Sequence, residues 1–161
     1  MLQYREAAQD DLSAICVLGE AVNLLHWEAW PHVFVGAGDP LRHAEHWQQS
    51  IGAERSTTFV CELESKVIGF ATVGVFQDTS SLIQPEPYSR VGSVSIATQH
   101  QGKGIGRALM RHAENWARER GVEDIRLHVW DFNQRALSLY KELGYEIRSH
   151  VLGKRLGKTD A

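Results

Sequence analysis

The hydrophobic positions of the chain recur now every second residue and now every three to four, and each change of period marks an element boundary. Leu2–Glu6 reads as an opening strand. Asp10 then stands as the N-cap of a helix whose apolar face runs through Leu12, Ile15, Cys16 and Val22, with the small Gly19 on the same side. Residues 23–39 are aromatic and broken by Pro31, Gly36 and Gly38, which predicts an irregular connection or a short second helix. Asp39-Pro40 is an N-cap followed by proline at the first helical position, so a helix should run from there to about Ile51 and end at Gly52.

Two β-rich runs, Ser56–Leu63 and residues 67–75, flank Glu64, Ser65 and Lys66 and predict a hairpin, followed by a loop over residues 76–87. Residues 91–97 are small, β-branched and uncharged, as suits a strand buried on both faces. A turn follows at residues 98–103. Ile105, Leu109, Ala113, Trp116 and Ala117 then line one side of a long helix, with Arg107, Arg111, Glu114, Arg118 and Glu119 on the other, and Gly121 stops it. A strand at 124–130, a short helix at 133–143 capped by Gly144, and one bent or two short strands at 145–156 complete the expected order. That order predicts an α/β single domain spanning residues 1–161, with a mixed central β-sheet flanked by helices.

Composition narrows this picture. A chain of 161 residues can bury a sizeable core in one domain. No run is apolar enough to span a membrane and residues 1–10 lack the regions of a signal peptide, so a cytoplasmic protein is expected. Cys16 and Cys61 are the only cysteines and form no C-x-x-C pair, which speaks against a disulfide framework or a zinc-thiolate site. His43 and His46 share a helical face, but no H-E-x-x-H pattern or carboxylate partner accompanies them, and no metal site is expected. The net charge is −3 and unevenly spread: residues 1–90 carry five Lys or Arg against twelve Asp or Glu, and residues 91–161 carry twelve against eight. A basic half suits a phosphate-rich cofactor and an acidic half a cationic second substrate; ordinary solvated faces would look the same. Nucleic-acid binding is not supported by an acidic chain.

The candidate chemistry lies where the strand at 91–97 meets the long helix. Gln101-Gly102-Lys103-Gly104-Ile105-Gly106 places three alternate glycines at a helix start, where the first amides lack internal partners and the dipole adds positive charge. The P-loop pattern fails because Gly102-Lys103 is followed by Gly104 and not by Ser or Thr. The dinucleotide fingerprint fails too, because the glycines alternate and the strand lies deep in the chain. A glycine-rich turn that merely joins strand to helix is the plain alternative.

The spacing that matches is Q/R-x-x-G-x-G/A, and here the stretch resembles the acyl-CoA pyrophosphate loop of the GNAT family of N-acyltransferases. A second resemblance lies at DFNQRALSLYKELGY, where Asn133, Ala136, Tyr140, Gly144 and Tyr145 match the N-x-x-A-x-x-x-Y-x-x-x-G-F/Y segment of that family. The opening Tyr4-Arg5-Glu6-Ala7 and Asp10-Asp11-Leu12 are similar to its first strand and helix, so the match covers nearly the whole chain.

The resemblance implies a GNAT fold with two splayed central parallel strands and transfer of an acetyl group from acetyl-CoA to a primary amine of a small molecule or peptide, by direct attack in a ternary complex. It implies that the backbone of Val94 and Ile96 meets the pantetheine arm. The pyrophosphate would lie at Gln101, Gly102, Lys103, Gly104, Ile105, Gly106 and Arg107, with Asn133 against the cofactor arm and Tyr140 as general acid. A core tyrosine beside Leu139 and Leu143 is the alternative reading of Tyr140. Family members often carry a Glu or His near the start of the central strand, where this chain has Ser89, Arg90, Gly92 and Ser93. Glu86, just before the strand, and His128, on its neighbour, are the nearest alternatives by sequence; a chain of waters, or an amine that arrives already neutral, serves at least as well. His26, Trp30 and His32 belong to a segment that in the family often covers the acceptor; aromatic packing of a loop onto the sheet is the alternative reading of each. A homodimer is expected by analogy. A non-catalytic acyl-CoA-binding or sensing domain of the same fold is the alternative function, prompted by the missing strand carboxylate.

Overall fold

The computed structural model describes residues 1–158. By internal contacts the chain divides into two compact units, Met1–His128 and the part from Val129 onward. The first unit holds a five-stranded sheet in the order β1 (Leu2–Glu6), β2 (Ser56–Leu63), β3 (Lys66–Gln77), β4 (Pro87–Ile96) and β5 (Ile125–Leu127). All neighbours are antiparallel except β4 and β5, which run parallel. Helices α1 (Leu12–Ala29) and α2 (Ala44–Gln48) precede β2, and α3 (Ile105–Glu119) joins β4 to β5.

Alternation along β3 divides the core between the two faces of the sheet. Phe70 packs with Ile15 and Leu18 of α1 and with Val60, and the Trp47 ring of α2 meets it edge-on at 5.3 Å. Its neighbour Gly69 turns to the other face, where a Cβ would lie 3.4 Å from Ile105 Cγ2 of α3. The apolar stripe read from the sequence of α3 is the buried one: Ile105, Leu109, Ala113, Trp116 and Ala117 are buried together with Met110. The close approach of α2 to α1 depends on Gly19, since a Cβ there would fall 2.4 Å from the Trp47 ring.

Several boundaries differ from expectation. Helix α1 runs on to Ala29, through the first part of the expected connection, because Pro31 is the first residue that breaks the pattern; Trp30, just before it, leaves the helix at φ −134°. Asp39 caps as expected, its Oδ1 accepting from the Leu41 N–H at 2.9 Å, but the segment begins as a 3-10 turn, Pro40–His43, and α2 is only five residues long. Strand β4 starts four residues early, because Pro87 pairs opposite Gln77 as the first residue of the strand, where its missing N–H costs nothing. The hairpin turn is tighter than expected: Glu64 and Ser65 both adopt positive φ, 49° and 63°, as a two-residue type I′ turn requires. Strand β5 covers three residues of the expected seven.

The second unit contains α4 (Gln134–Glu142), capped by Asn133, whose Oδ1 accepts from the Ala136 N–H at 3.2 Å. It ends in a Schellman closure, Tyr145 N–H to Tyr140 O at 2.9 Å and Gly144 N–H to Lys141 O at 3.0 Å. The strand or strands expected at 145–156 are absent among the described residues. β-propensity needs a paired neighbour to act, and here Val151 and Leu152 stay exposed.

One ion-pair network ties β1 to the start of α1. Arg5 binds Asp11 through both terminal nitrogens (2.7 and 3.0 Å) and reaches Glu62 at 2.6 Å, and the Ala8 N–H donates to Asp11 Oδ2 at 2.8 Å. The Arg5 guanidinium holds the Asp11 carboxyl below the usual carboxylate range against the opposing effect of burial, and the Ala8 amide adds to it. A depressed folded-state pKa stabilises the fold above the unfolded value, about 3.9, and that contribution is lost as pH falls through the lower folded value. Asp11→Asn should therefore lower stability by about 1–2 kcal/mol at pH 7, discounted because Arg5 is partly exposed. The deficit should shrink as urea titrations are moved below pH 4, and a pH-independent deficit would exclude this origin.

Candidate active site

The parallel pairing of β4 with β5 stops early. Only Ser89, Arg90 and Val91 pair with Ile125, Arg126 and Leu127, although β4 continues to Ile96. A bulge coincides with the end of this pairing. Ala71 pairs with Val94 and Val73 with Val91, so Thr72 alone opposes Gly92 and Ser93, and the Ser93 N–H donates to Thr72 Oγ1 at 3.0 Å. Gly92 permits this approach, because a Cβ there would lie 2.6 Å from Thr72 Oγ1.

The extra residue reverses the direction of the backbone groups of β4. Before the bulge, Ser89 N–H donates to Asp124 O at 2.8 Å, so residues 89 and 91 turn their polar groups toward β5. After it, Ala97 N–H donates to Ile68 O at 2.8 Å, so the odd positions turn toward β3 and Val94 and Ile96 turn toward the β5 side. No strand pairs them there among the described residues. The Ile96 carbonyl accepts from Gln101 Nε2 at 3.0 Å, which folds the following loop back on the strand end.

That loop makes one 3-10 turn, Thr98–His100, then passes through Gly102 at φ 76° and Gly104 at φ 80°. Both lie in the left-handed region, which explains two of the alternating glycines. Gly104 is the N-cap of α3 and offers no side-chain hydrogen bond to the first-turn amides. Lys103 is exposed beside them and Arg107 half-buried. A Cβ added at Gly104 would meet nothing within 4 Å, so the glycine answers to backbone conformation and not to crowding. Gly104→Ala should thus cost about 1–2 kcal/mol in denaturant unfolding. A stabilised variant, as Gly→Ala gives at compatible positions, would contradict the left-handed assignment.

Among the remaining expected residues, His128 follows β5 directly and stands, exposed, where the two strands part. Glu86 precedes Pro87, at the opposite end of β4 from the loop, roughly 30 Å away along an extended strand. It lines a cleft of about 410 Å³ with Glu123, Asp124 and Arg126. His26 is engaged near the end of α1, with Nδ1 2.7 Å from Val22 O and its ring 4.9 Å from that of Phe34. Trp30 and His32 are exposed just past α1. In the second unit Asn133 is the N-cap of α4, and Tyr140 lies on α4 with its ring 5.9 Å from that of Tyr145. Burial pushes the Tyr140 phenol above its ordinary value of 10, so it keeps its proton at neutral pH.

Sequence reasoning missed a groove of about 390 Å³ beside the bulge. It lies on the face that carries α2 and is lined by His46, Trp47, Ser50, Thr72, Arg90 and Ser93, among others. Its signal was Gly92, a lone glycine inside a strand pattern, which marks a bulge or a close backbone approach.

The Acetyltransferase (GNAT) family model matches residues 20–145. A streptothricin acetyltransferase from Streptomyces lavendulae is 44% identical over 55 residues, 34% of this chain and 29% of that protein. The match thus spans less than a third of that longer relative. An aminoglycoside N(6')-acetyltransferase type 1 from Stenotrophomonas maltophilia is 26% identical over 132 residues, 80% of this chain and 85% of its own. A mutant of the BH1408 protein from Bacillus halodurans superposes with a TM-score of 0.88 at 23% identity, covering 96% of this chain and 99% of that one. The aminoglycoside N-acetyltransferase AAC(6')-Iy in complex with CoA gives a TM-score of 0.74 at 15% identity, over 97% and 95% of the two chains. With the family model covering most of the sheet and of α3 and α4, the chain belongs to the GNAT acetyltransferase family.

Proposed function

We infer that residues 1–161 act as one acetyl-CoA-dependent N-acetyltransferase domain, transferring acetyl to a primary amine by direct attack in a ternary complex. The observation that carries this reading is the coincidence of the β4 bulge with the end of the β4–β5 pairing. It turns the backbone groups of Val94 and Ile96 toward an open strand edge that leads straight into a helix start without a side-chain cap. An extended arm with amide groups fits such an edge, and a pyrophosphate fits first-turn amides flanked by Lys103 and Arg107. The names of the relatives, which include aminoglycoside and ribosomal-protein alanine N-acetyltransferases, support an amine acceptor.

In this reading the thioester lies in the gap with its carbonyl oxygen at the Val94 N–H, which takes up the charge of the tetrahedral intermediate. The neutral amine attacks the carbonyl carbon, the tetrahedral intermediate collapses with cleavage of the C–S bond and loss of the thiolate, the Tyr140 phenol donates to the departing sulfur, and the proton released as the nitrogen becomes an amide restores the phenol. The proton lost by the incoming ammonium leaves through His128 or water at the mouth of the gap. Asn133 meets the cofactor arm, and His26, Trp30 and His32 border the acceptor entrance. Location in the cytoplasm and pairing of two copies are part of the same proposal.

The test is a thiol-release assay over an amine panel, run beside calorimetric binding of acetyl-CoA. Acetyl-CoA should bind, and CoA should be freed only when an accepted amine is present. Absence of acetyl-CoA binding would overturn the reading, and binding without release by any amine would favour the non-catalytic acyl-CoA-binding domain.

A further inference from the structure

Two arginines of the sheet stack on aromatic rings, and their surroundings differ in one respect. Arg126 lies 3.8 Å from the centroid of Tyr88 and is neutralised by two carboxylates, Asp124 at 2.8 Å and Asp78 at 3.0 Å. Arg90 lies 4.2 Å from the centroid of Phe76, and no carboxylate pairs with it among the described residues. Phe76 and Tyr88 are themselves stacked, with centroids 6.0 Å apart, so one row of rings holds both guanidinium groups in place.

Arg90 is also the arginine that reaches the groove beside the bulge. No Asp or Glu lines that groove among the described residues, and its other ionisable group is His46. Ser50, Ser56, Thr72 and Ser93 supply hydroxyls, and Trp47 and Phe76 supply apolar walls. The acidic excess of the N-terminal half therefore does not enter this site. A polycation would find no counter-charge in it. A pre-oriented guanidinium without a carboxylate partner, its plane held by a ring, is instead a fixed donor for a carboxylate or phosphate.

We propose that the acceptor is a primary amine that also carries an anionic oxyacid group, a carboxylate or a phosphate, and that Arg90 binds that group in the groove. This rests on the acetyltransferase reading, because it takes the bulge as the place where the amine meets the thioester. Arg90 is two residues from Gly92, about 7 Å along the strand, so short ω-amino acids and ω-aminoalkyl phosphates are the acceptors to test first. The proposal departs from the polyamine and aminoglycoside acceptors that surface charge alone would favour.

The experiment uses the full chain with saturating acetyl-CoA and acceptors matched in amine basicity: 4-aminobutanoate, 4-aminobutanamide, 3-aminopropyl phosphate and spermidine. At least one anionic amine should exceed 4-aminobutanamide and spermidine tenfold or more in kcat/KM, and the better of the two identifies the oxyacid. Arg90→Gln should reduce that preference at least tenfold, Arg90→Lys should retain part of it, and Arg126→Gln should leave it in place, each variant being checked for an intact unfolding transition. Preference for spermidine or for the amide, or an unchanged ratio in both Arg90 variants, overturns the proposal. Should no amine release CoA, the acetyltransferase reading itself fails. Calorimetry of 4-acetamidobutanoate against 4-acetamidobutanamide in the presence of CoA then decides the anion site: tighter binding of the acid, abolished by Arg90→Gln, sustains it, and equal binding sinks it.

Discussion

Tyr140→Phe is expected to lower kcat for acetyl transfer about 100-fold with little change in acetyl-CoA affinity. General acid catalysis contributes roughly 10² to 10⁴ in rate, and the environment of Tyr140 places it at the lower end. Burial holds the phenol above 10, so the proton is present across the physiological range. The leaving thiol has an ordinary pKa of about 8.5, however, so complete transfer to sulfur would run uphill. In the proposed mechanism the phenol would therefore act by sharing its proton with sulfur in the transition state, and removal of its oxygen would forfeit that hydrogen bond alone. Tyr145→Phe, which removes the neighbouring hydroxyl on the same stretch, serves as the comparison and should stay within a few-fold of the parent. A further consequence concerns pH: the alkaline limb of the rate profile should not fall until pH exceeds the ordinary phenol value of 10. Full turnover by Tyr140→Phe would return this residue to a packing role beside Leu139 and Leu143.

Phe70→Ala should produce the largest loss of stability, about 3–5 kcal/mol. The side chain is fully buried between Ile15, Leu18 and Val60, with the Trp47 ring edge-on against it. A loss of that size is a large share of the roughly 5–15 kcal/mol typical of whole domains. For a chain of this length it corresponds to a fall in Tm of roughly 6–20 °C. The effect should extend to function, because Trp47 rests on Phe70 from one side and lines the groove from the other. Where the variant remains folded, KM for the amine should rise more than KM for acetyl-CoA. A loss below about 1 kcal/mol would mean that the site collapses fully around the cavity, contrary to a core with a rigid indole as one wall.

The site was legible in unequal parts. Gln101 to Gly106 can be read because left-handed turns and close backbone approach leave glycines in the sequence, and two of the three prove to need positive φ. Asn133 can be read as a helix start because capping is a local interaction within three residues. Arg90 cannot. In the sequence it is one charged residue among strand formers, standing where a base is looked for, and its importance depends on which carboxylates lie nearby. Arg126 has two and Arg90 none among the described residues, a difference set by chain segments as far apart as Asp78 and Asp124. Glu86 shows the converse: its adjacency in sequence to the central strand is visible at once, but that it lies at the end of β4 away from the loop, in a cleft with Glu123, Asp124 and Arg126, is set by the fold.

Local signals sufficed for the α3 stripe, the Asp39 cap, the start of α4 to within one residue, β1 and β2 to their end residues, and the loop between β4 and α3. Those signals are propensity, periodicity and turn chemistry, which act over a few residues and are therefore written in the sequence. The bulge at Gly92 and Ser93, the point at which β4 and β5 part, and the absence of a strand over residues 145–156 among the described residues emerge only once the chain has folded. Each of these depends on whether a backbone N–H or C=O finds a partner on a distant strand, and a strand carries no record of its partner in its own composition.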